Sequence, residues 1–213
     1  MPENALNTLK EKPDDDSVML QVLAAVERNS GLTQRSLAKE LDVALGLAHS
    51  YLKRCIKKGY VKISQAPAKR YAYYLTPHGF SEKAKLAAEY LNQSFHFFRY
   101  AKQQLQVIID ECVARGWKRI VLVGASDLAE IAVLAASLRD ITFVGVIDEV
   151  GGGVLGLPVF TLAELPQLNA DAVIVTSLNR AQAVYDSLCE IVPAERVLVP
   201  RLLRIVSTTT GEE

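Results

Sequence analysis

The run Arg119-Ile120-Val121-Leu122-Val123 ends on Gly124 and passes directly into a helical pattern, DLAEIAVLAASLRD. A strand whose consecutive side chains are all apolar has no face to offer water, so something must cover it on both sides. The alternation then continues: ITFVGVIDE as a second strand, the glycine-rich loop VGGGVLGLP, and a short strand at Val159-Phe160. A short helix (LAEL), the strand DAVIVTS, the helix AQAVYDSLCEIV and the strand RVLVP complete it. Buried Val/Ile strands alternating with helices predict an α/β unit over residues 117–205, a doubly wound parallel sheet of Rossmann type.

The first half follows other periods. VMLQVLAAVERNSG, preceded by Asp14, Asp15 and Asp16, predicts a helix that Gly31 ends. Thr33 is placed to cap a short helix through Leu41; Asp42-Val43 make a turn, and a second helix runs from about Ala44 to Lys58. VKIS and YAYYLT around QAPAKR predict a hairpin directly after that helix, the wing of a winged helix-turn-helix domain of α+β type over residues 17–76. Thr76-Pro77 starts a long helical segment over 77–116, with a break expected near Ser94–Arg99. It serves as linker and dimerisation element, with Phe80, Ala84, Ala87, Tyr90, Leu91, Phe95 and Phe98 as the packing stripe. Residues 1–16 and 206–213 are expected to be tails.

Charge separates the halves. The 24 basic and 24 acidic residues cancel overall, but residues 1–100 hold 15 basic and 10 acidic side chains against 9 and 14 in residues 101–213. Within residues 33–70, nine cations face only Glu40 and Asp42. No stretch suits a bilayer, and the first residues show no leader pattern, so a cytoplasmic protein with no membrane partner is expected. Cys55, Cys112 and Cys189 are odd in number and widely spaced, which argues against disulfides or zinc; all three are expected to be buried thiols.

On the helix at 44–58, Ala48, Leu52, Cys55 and Ile56 share one face, while His49, Lys53 and Lys57 share another, with Ser50 and Arg54 alongside. One face packs and the other presents donors, as a helix lying in a DNA major groove requires. Lys69, Arg70 and Tyr71 at the wing tip would reach a neighbouring groove or the backbone, and Arg35 adds to the same basic field. Double-stranded DNA is the expected partner, read by a homodimer on two half-sites; a solvated basic helix in a protein-binding winged helix is the alternative.

LTQRSLAKELDV, LKRCIKKGYVKI and YYLTPHG resemble winged helix-turn-helix regulators of the MarR type, in particular a subgroup associated with exopolysaccharide gene clusters, over roughly residues 17–100. The resemblance implies that Ala44, Leu45, Gly46, His49, Ser50 and Lys53 meet bases and phosphates. Since Ala44, Leu45 and Gly46 offer few hydrogen bonds, reading would rest there on apolar contact and DNA shape.

In the second half, the turn Gly124-Ala125-Ser126-Asp127-Leu128 is where a doubly wound sheet meets a phosphate, with the following helix pointing N–H groups at it. A dinucleotide fingerprint would place glycine where Ser126 stands. Asp148, at the end of the second strand, stands where an acid binds ribose hydroxyls, and Thr176, Ser177 and Asn179 end a later strand at the same edge. A winged helix followed by a nucleotide fold resembles the Rex family of redox-sensing repressors, which implies NAD(H). GGGVLGLPVFTLAEL equally resembles the N-terminal domains of sugar acyltransferases that bind nucleotide sugars. No histidine follows His96, and no paired carboxylates, nucleophile elbow or P-loop occur, so an enzyme is not expected. The expected function is a DNA-binding transcriptional regulator whose second half senses a nucleotide-type small molecule. Alternatives are a sugar-nucleotide-binding or sugar-modifying protein of polysaccharide biosynthesis whose winged helix mediates assembly, and a purely structural second half.

Overall fold

The computed structural model describes residues 15–66, 70–149 and 153–206. They divide into two compact units between His96 and Phe97.

The first unit begins with α1 (Asp15–Arg28), whose acidic first turn suits the positive end of the helix dipole. Asp15 and Asp16 therefore belong to a helix and not to the expected tail. Val18, Met19, Val22, Leu23, Ala25 and Val26 form its buried face. Thr33 caps α2 (Gln34–Glu40) in a reciprocal capping box with Ser36, and Asp42 makes the turn at φ +51°. Helix α3 (Leu45–Lys57) buries Ala48, Leu52 and Cys55 against α1 and α2. Strands β1 (Val61–Ala66) and β2 (Arg70–Leu75) pair antiparallel from Val61↔Leu75 to Ala66↔Arg70. The turn between them, including Lys69, lies outside the described residues.

Helix α4 runs unbroken from Pro77 to Ala114. The break expected near Ser94–Arg99 does not occur. No proline or glycine interrupts residues 80–115, and the Ser94 hydroxyl turns back to donate to the Tyr90 carbonyl at 2.9 Å. Its start is tied to the wing. The Thr76 hydroxyl donates to the Gly59 carbonyl at 2.6 Å and accepts from the Gly79 amide at 3.0 Å. A Cβ on Gly79 would lie 2.1 Å from the Tyr60 carbonyl oxygen, which itself accepts from the Thr76 amide at 2.9 Å. The glycine of LTPHG is thus demanded by a helix start pressed onto the β1 entrance.

In the second unit, Ala101, Leu105, Ile108, Ile109 and Cys112 of α4 are buried. Strands β3 (Arg119–Val123), β4 (Thr142–Ile147), β5 (Val159–Phe160), β6 (Ala172–Val175) and β7 (Val197–Leu198) form one parallel sheet in the order β5-β4-β3-β6-β7. The chain leaves the central β3 in both directions, so right-handed crossovers place α5 (Asp127–Ala135) and α6 (Ala181–Cys189) on opposite faces. Val121, Val123, Val173, Val175 and Val197 pack with Tyr185 and Leu188 of α6. By strand alternation, Ile120, Leu122 and Ile174 face the other side.

Several elements differ from the sequence expectation. Helix α5 stops at Ala135, well before Asp140, because its buried positions end at Ala135–Ala136 and Leu138 is left 90% exposed. LAEL lies in a 3₁₀ helix, Leu162–Leu168, started by a Thr161–Glu164 capping box. Cys189 is exposed instead of buried, since Ala181, Tyr185 and Leu188 define the packed face of α6 and Cys189 falls one residue off it. Cys55 and Cys112 are buried, and burial pushes each thiol up to about 11.

The half-buried Asp171 accepts the Lys118 and Arg119 amides at 2.8 Å each, which starts β3 beside β6 and holds its carboxyl below the usual carboxylate range. The lowered folded value means the stabilisation is complete above the ordinary carboxylate value and is lost as pH falls through the folded one. The stability advantage of the parent over Asp171→Asn, from denaturant unfolding, is therefore expected to be constant above about pH 5 and to shrink below about pH 4. Gly79→Ala should destabilise the first unit by about 1–3 kcal/mol, the range for overpacking against a backbone that cannot yield, as a lowered denaturation midpoint at unchanged slope.

Candidate functional site

Two surfaces carry chemistry, and each lies within one unit. The first is the outer face of α3. Its core side is closed by Ala48, Leu52 and Cys55, so helical geometry turns Gly46, Ser50, Lys53 and Lys57 outward, with His49 and Leu45 on one flank and Leu47 and Arg54 on the other. All eight are exposed. The N-cap Ala44 supplies no side-chain hydrogen bond, and the first turn contains no acid, so the positive helix end is left uncompensated. Arg35, Lys39 and Lys62 are also exposed. Among the described residues, neither Lys53 nor Lys57 is paired with a carboxylate.

Arg54 differs from its neighbours. It is in a salt bridge with Asp15 at the start of α1, and the same carboxylate accepts the Tyr51 hydroxyl at 2.6 Å. The Tyr51 hydrogen bond, then the Arg54 guanidinium, hold the Asp15 carboxyl below the usual range. Asp15 and Arg54 stand 39 residues apart, so no local spacing signals the pair. It ties the C-terminal half of α3 to α1 and takes part of the Arg54 donor set. In the wing, Tyr71 is 57% exposed; the Lys69 position and the Arg70 side chain lie outside the described residues.

The second surface is the carboxyl edge of the parallel sheet. The strand order reverses between β3 and β6, the topological switch point where open α/β sheets bind ligands. Gly124, Ala125, Ser126, Asp148, Thr176 and Ser177 meet there and are engaged mainly with one another, with Asp127 beside them at the start of α5. Gly124 has φ +111°, and a Cβ on it would lie 2.5 Å from the Ser177 amide nitrogen and Cα. The fully buried Thr176 donates its hydroxyl to the Gly124 carbonyl at 2.7 Å. Ser126 caps α5, accepting from the Leu128 amide at 3.1 Å while its hydroxyl donates to the Thr176 carbonyl at 2.7 Å. Asp148 accepts from the Ala125 amide at 2.8 Å. Beyond them, Arg180 pairs with Glu149 at 2.9 Å, both largely exposed.

These contacts decide how well a dinucleotide would fit. A pyrophosphate at this turn needs backbone amides and a glycine where the chain can approach it. The Ala125 and Leu128 amides are already satisfied by Asp148 and Ser126. The space that Gly124 leaves is filled by Ser177, and the Leu128 side chain is buried in the core. Asp127 and Asp148 add negative charge beside the turn. The residues present do not fit the pyrophosphate of NAD(H). A cavity of about 260 Å³ lies instead at the opposite end of β6, between Leu165, Ala172, Val192 and Arg196. Among the described residues, no cluster of histidine, cysteine and acidic side chains could hold a metal, and no helix is long and apolar enough to cross a membrane.

A helix-turn-helix with a two-stranded wing and an exposed basic second helix defines a winged helix-turn-helix domain. Residues 15–62 match the family model for winged helix-turn-helix DNA-binding domains. No curated protein matches the sequence. Among solved structures, the chain is similar to the PcaV transcriptional regulator from Streptomyces coelicolor at 18% identity, over 52% of this chain and 82% of that one, with a TM-score of 0.39. The same regulator in complex with its natural ligand matches at 18% identity, over 52% and 79%, with a TM-score of 0.38. PigF with SAH matches at 13% identity, over 87% of this chain and 55% of that one, with a TM-score of 0.24. Likenesses of this size carry no weight for function, which rests on the domain match and the geometry.

Proposed function

We propose that the protein is a DNA-binding transcriptional regulator that reads duplex DNA with α3 as a homodimer and responds to a small molecule through its second unit. The exposed face of α3 is the observation that carries the reading. Lys53 and Lys57 stand one turn apart on a helix whose opposite face is core, within the segment that matches winged helix-turn-helix DNA-binding domains. Cations on one outer helix face, without carboxylate partners among the described residues, are placed to neutralise phosphates, while His49 and Ser50, nearer the helix start, are placed to hydrogen-bond base edges.

Two further features support the proposal. Phe80, Tyr90, Leu91 and Phe95 of α4 are 48–57% exposed, and every residue from Ala88 to Phe95 faces solvent. Two turns of bare helix carrying three large apolar groups are costly to leave in water, and a second copy would cover them and pair two recognition helices. The reversed strand order at Gly124 supports a ligand crevice in the second unit. Because the β3–α5 turn is self-satisfied, the ligand we propose is of nucleotide type, such as a nucleotide sugar whose own diphosphate lies away from that turn.

The double variant Lys53→Ala/Lys57→Ala is expected to keep the parent's unfolding midpoint, since both side chains are exposed. Its log-affinity against log-salt slope for duplex DNA should fall by about 2, one unit for each phosphate contact removed. An unchanged slope would count against α3 as the DNA-binding surface. In thermal unfolding, a nucleotide sugar at 100 times its Kd should stabilise the second unit by about 2.7 kcal/mol, while NADH should leave its midpoint unmoved. A stabilising shift with NADH would overturn the reading of the turn.

A further inference from the structure

The glycine at position 46 has no reason within the fold. Gly79 and Gly124 are each demanded by a backbone atom that a Cβ would strike, whereas a Cβ on Gly46 would meet nothing within 4 Å. Its backbone is helical and lies outside the set of positive-φ positions. It is the second residue of α3, and neither packing nor backbone conformation calls for glycine there. On either side stand Leu45 and Leu47, 49% and 44% exposed, in the first turn of a helix whose remaining outer face is polar and cationic. Two leucines flanking a bare backbone on a phosphate-seeking surface are unfavourable in water and call for an apolar partner.

We infer that Leu45-Gly46-Leu47 is the base-reading turn of α3: the missing side chain lets the helix backbone close on base edges in the major groove, and the two leucines meet thymine methyl groups. This rests on the DNA-binding reading above and adds what is read and how. The thymine C5-methyl is the apolar group that the major groove displays, and the start of a recognition helix is the part that reaches the bases. Leucine neither donates nor accepts hydrogen bonds, so this turn selects sites by methyl position and closeness of fit. His49 and Ser50 supply hydrogen bonds one turn later, and Lys53 and Lys57 hold phosphates beyond them.

The test uses the full-length chain and the duplex it enriches from a randomised library, prepared once with thymine and once with uracil, which lacks only the methyl. The parent should bind the uracil duplex more weakly, by roughly fourfold for each methyl contacted, the worth of one buried CH₂ group. Leu45→Ala/Leu47→Ala should bind the two duplexes alike. Gly46→Ala should not lower the thermal midpoint while weakening binding to the thymine duplex by about tenfold or more, so that loss of binding cannot be ascribed to a failure to fold. If the parent enriches no duplex, the DNA-binding reading itself falls. If it enriches one, then equal binding of thymine and uracil duplexes, or full affinity in Gly46→Ala, overturns this inference alone.

Discussion

Strand β3 is the constraint on which the second unit depends. Ile120, Val121, Leu122 and Val123 are each at most 4% exposed, so both faces of the strand are covered. Both of its edges are paired, to β4 on one side and β6 on the other. At roughly 1.5–3 kcal/mol for each large apolar side chain, that burial outweighs any single polar contact at the strand ends. A first strand that ends up in the centre requires the chain to wind away from it in two directions. The switch point and the packing of α5 and α6 on opposite faces both follow.

The same demand explains why the β3–α5 turn is tied to its neighbouring strand ends. Three parallel strands ending together leave carbonyls and amides that need partners, and Thr176, Ser126 and Asp148 provide them. These residue types are also those that would greet a ligand. What distinguishes the two uses is whether their atoms are already spent, and only distances reveal that. In the first unit the equivalent anchor is the close passage of Gly79 over Tyr60, which fixes where α4 starts relative to the wing.

Much of the first unit was legible from local signals. Thr33 as a cap, the turn at Asp42, the bounds of α3 and the wing strands depend on short-range rules, and each falls within a residue or two of its expected place. The basic outer face of α3 was equally readable, because a helix whose buried face is known has its exposed face decided. Interactions across long sequence separations were not readable. The Asp15–Tyr51–Arg54 cluster joins residues more than 35 positions apart and turns one expected phosphate contact into a partly committed side chain. The break expected in α4 near Ser94–Arg99 is absent, because helix continuity depends on backbone hydrogen bonds that no proline or glycine interrupts there.

The amino-acid order by itself determined the class of each half: a basic winged helix-turn-helix followed by a parallel α/β unit. Periodicity, caps and runs of Val and Ile act over a few residues, and those few residues are enough to specify them. Tertiary structure decided what the glycines are for. The gap at Gly124 is filled by Ser177 and the gap at Gly79 by Tyr60, whereas the gap at Gly46 stands open to solvent. A sequence shows that a side chain is missing; only the packed chain shows whether the vacated space belongs to the protein or is left for another molecule.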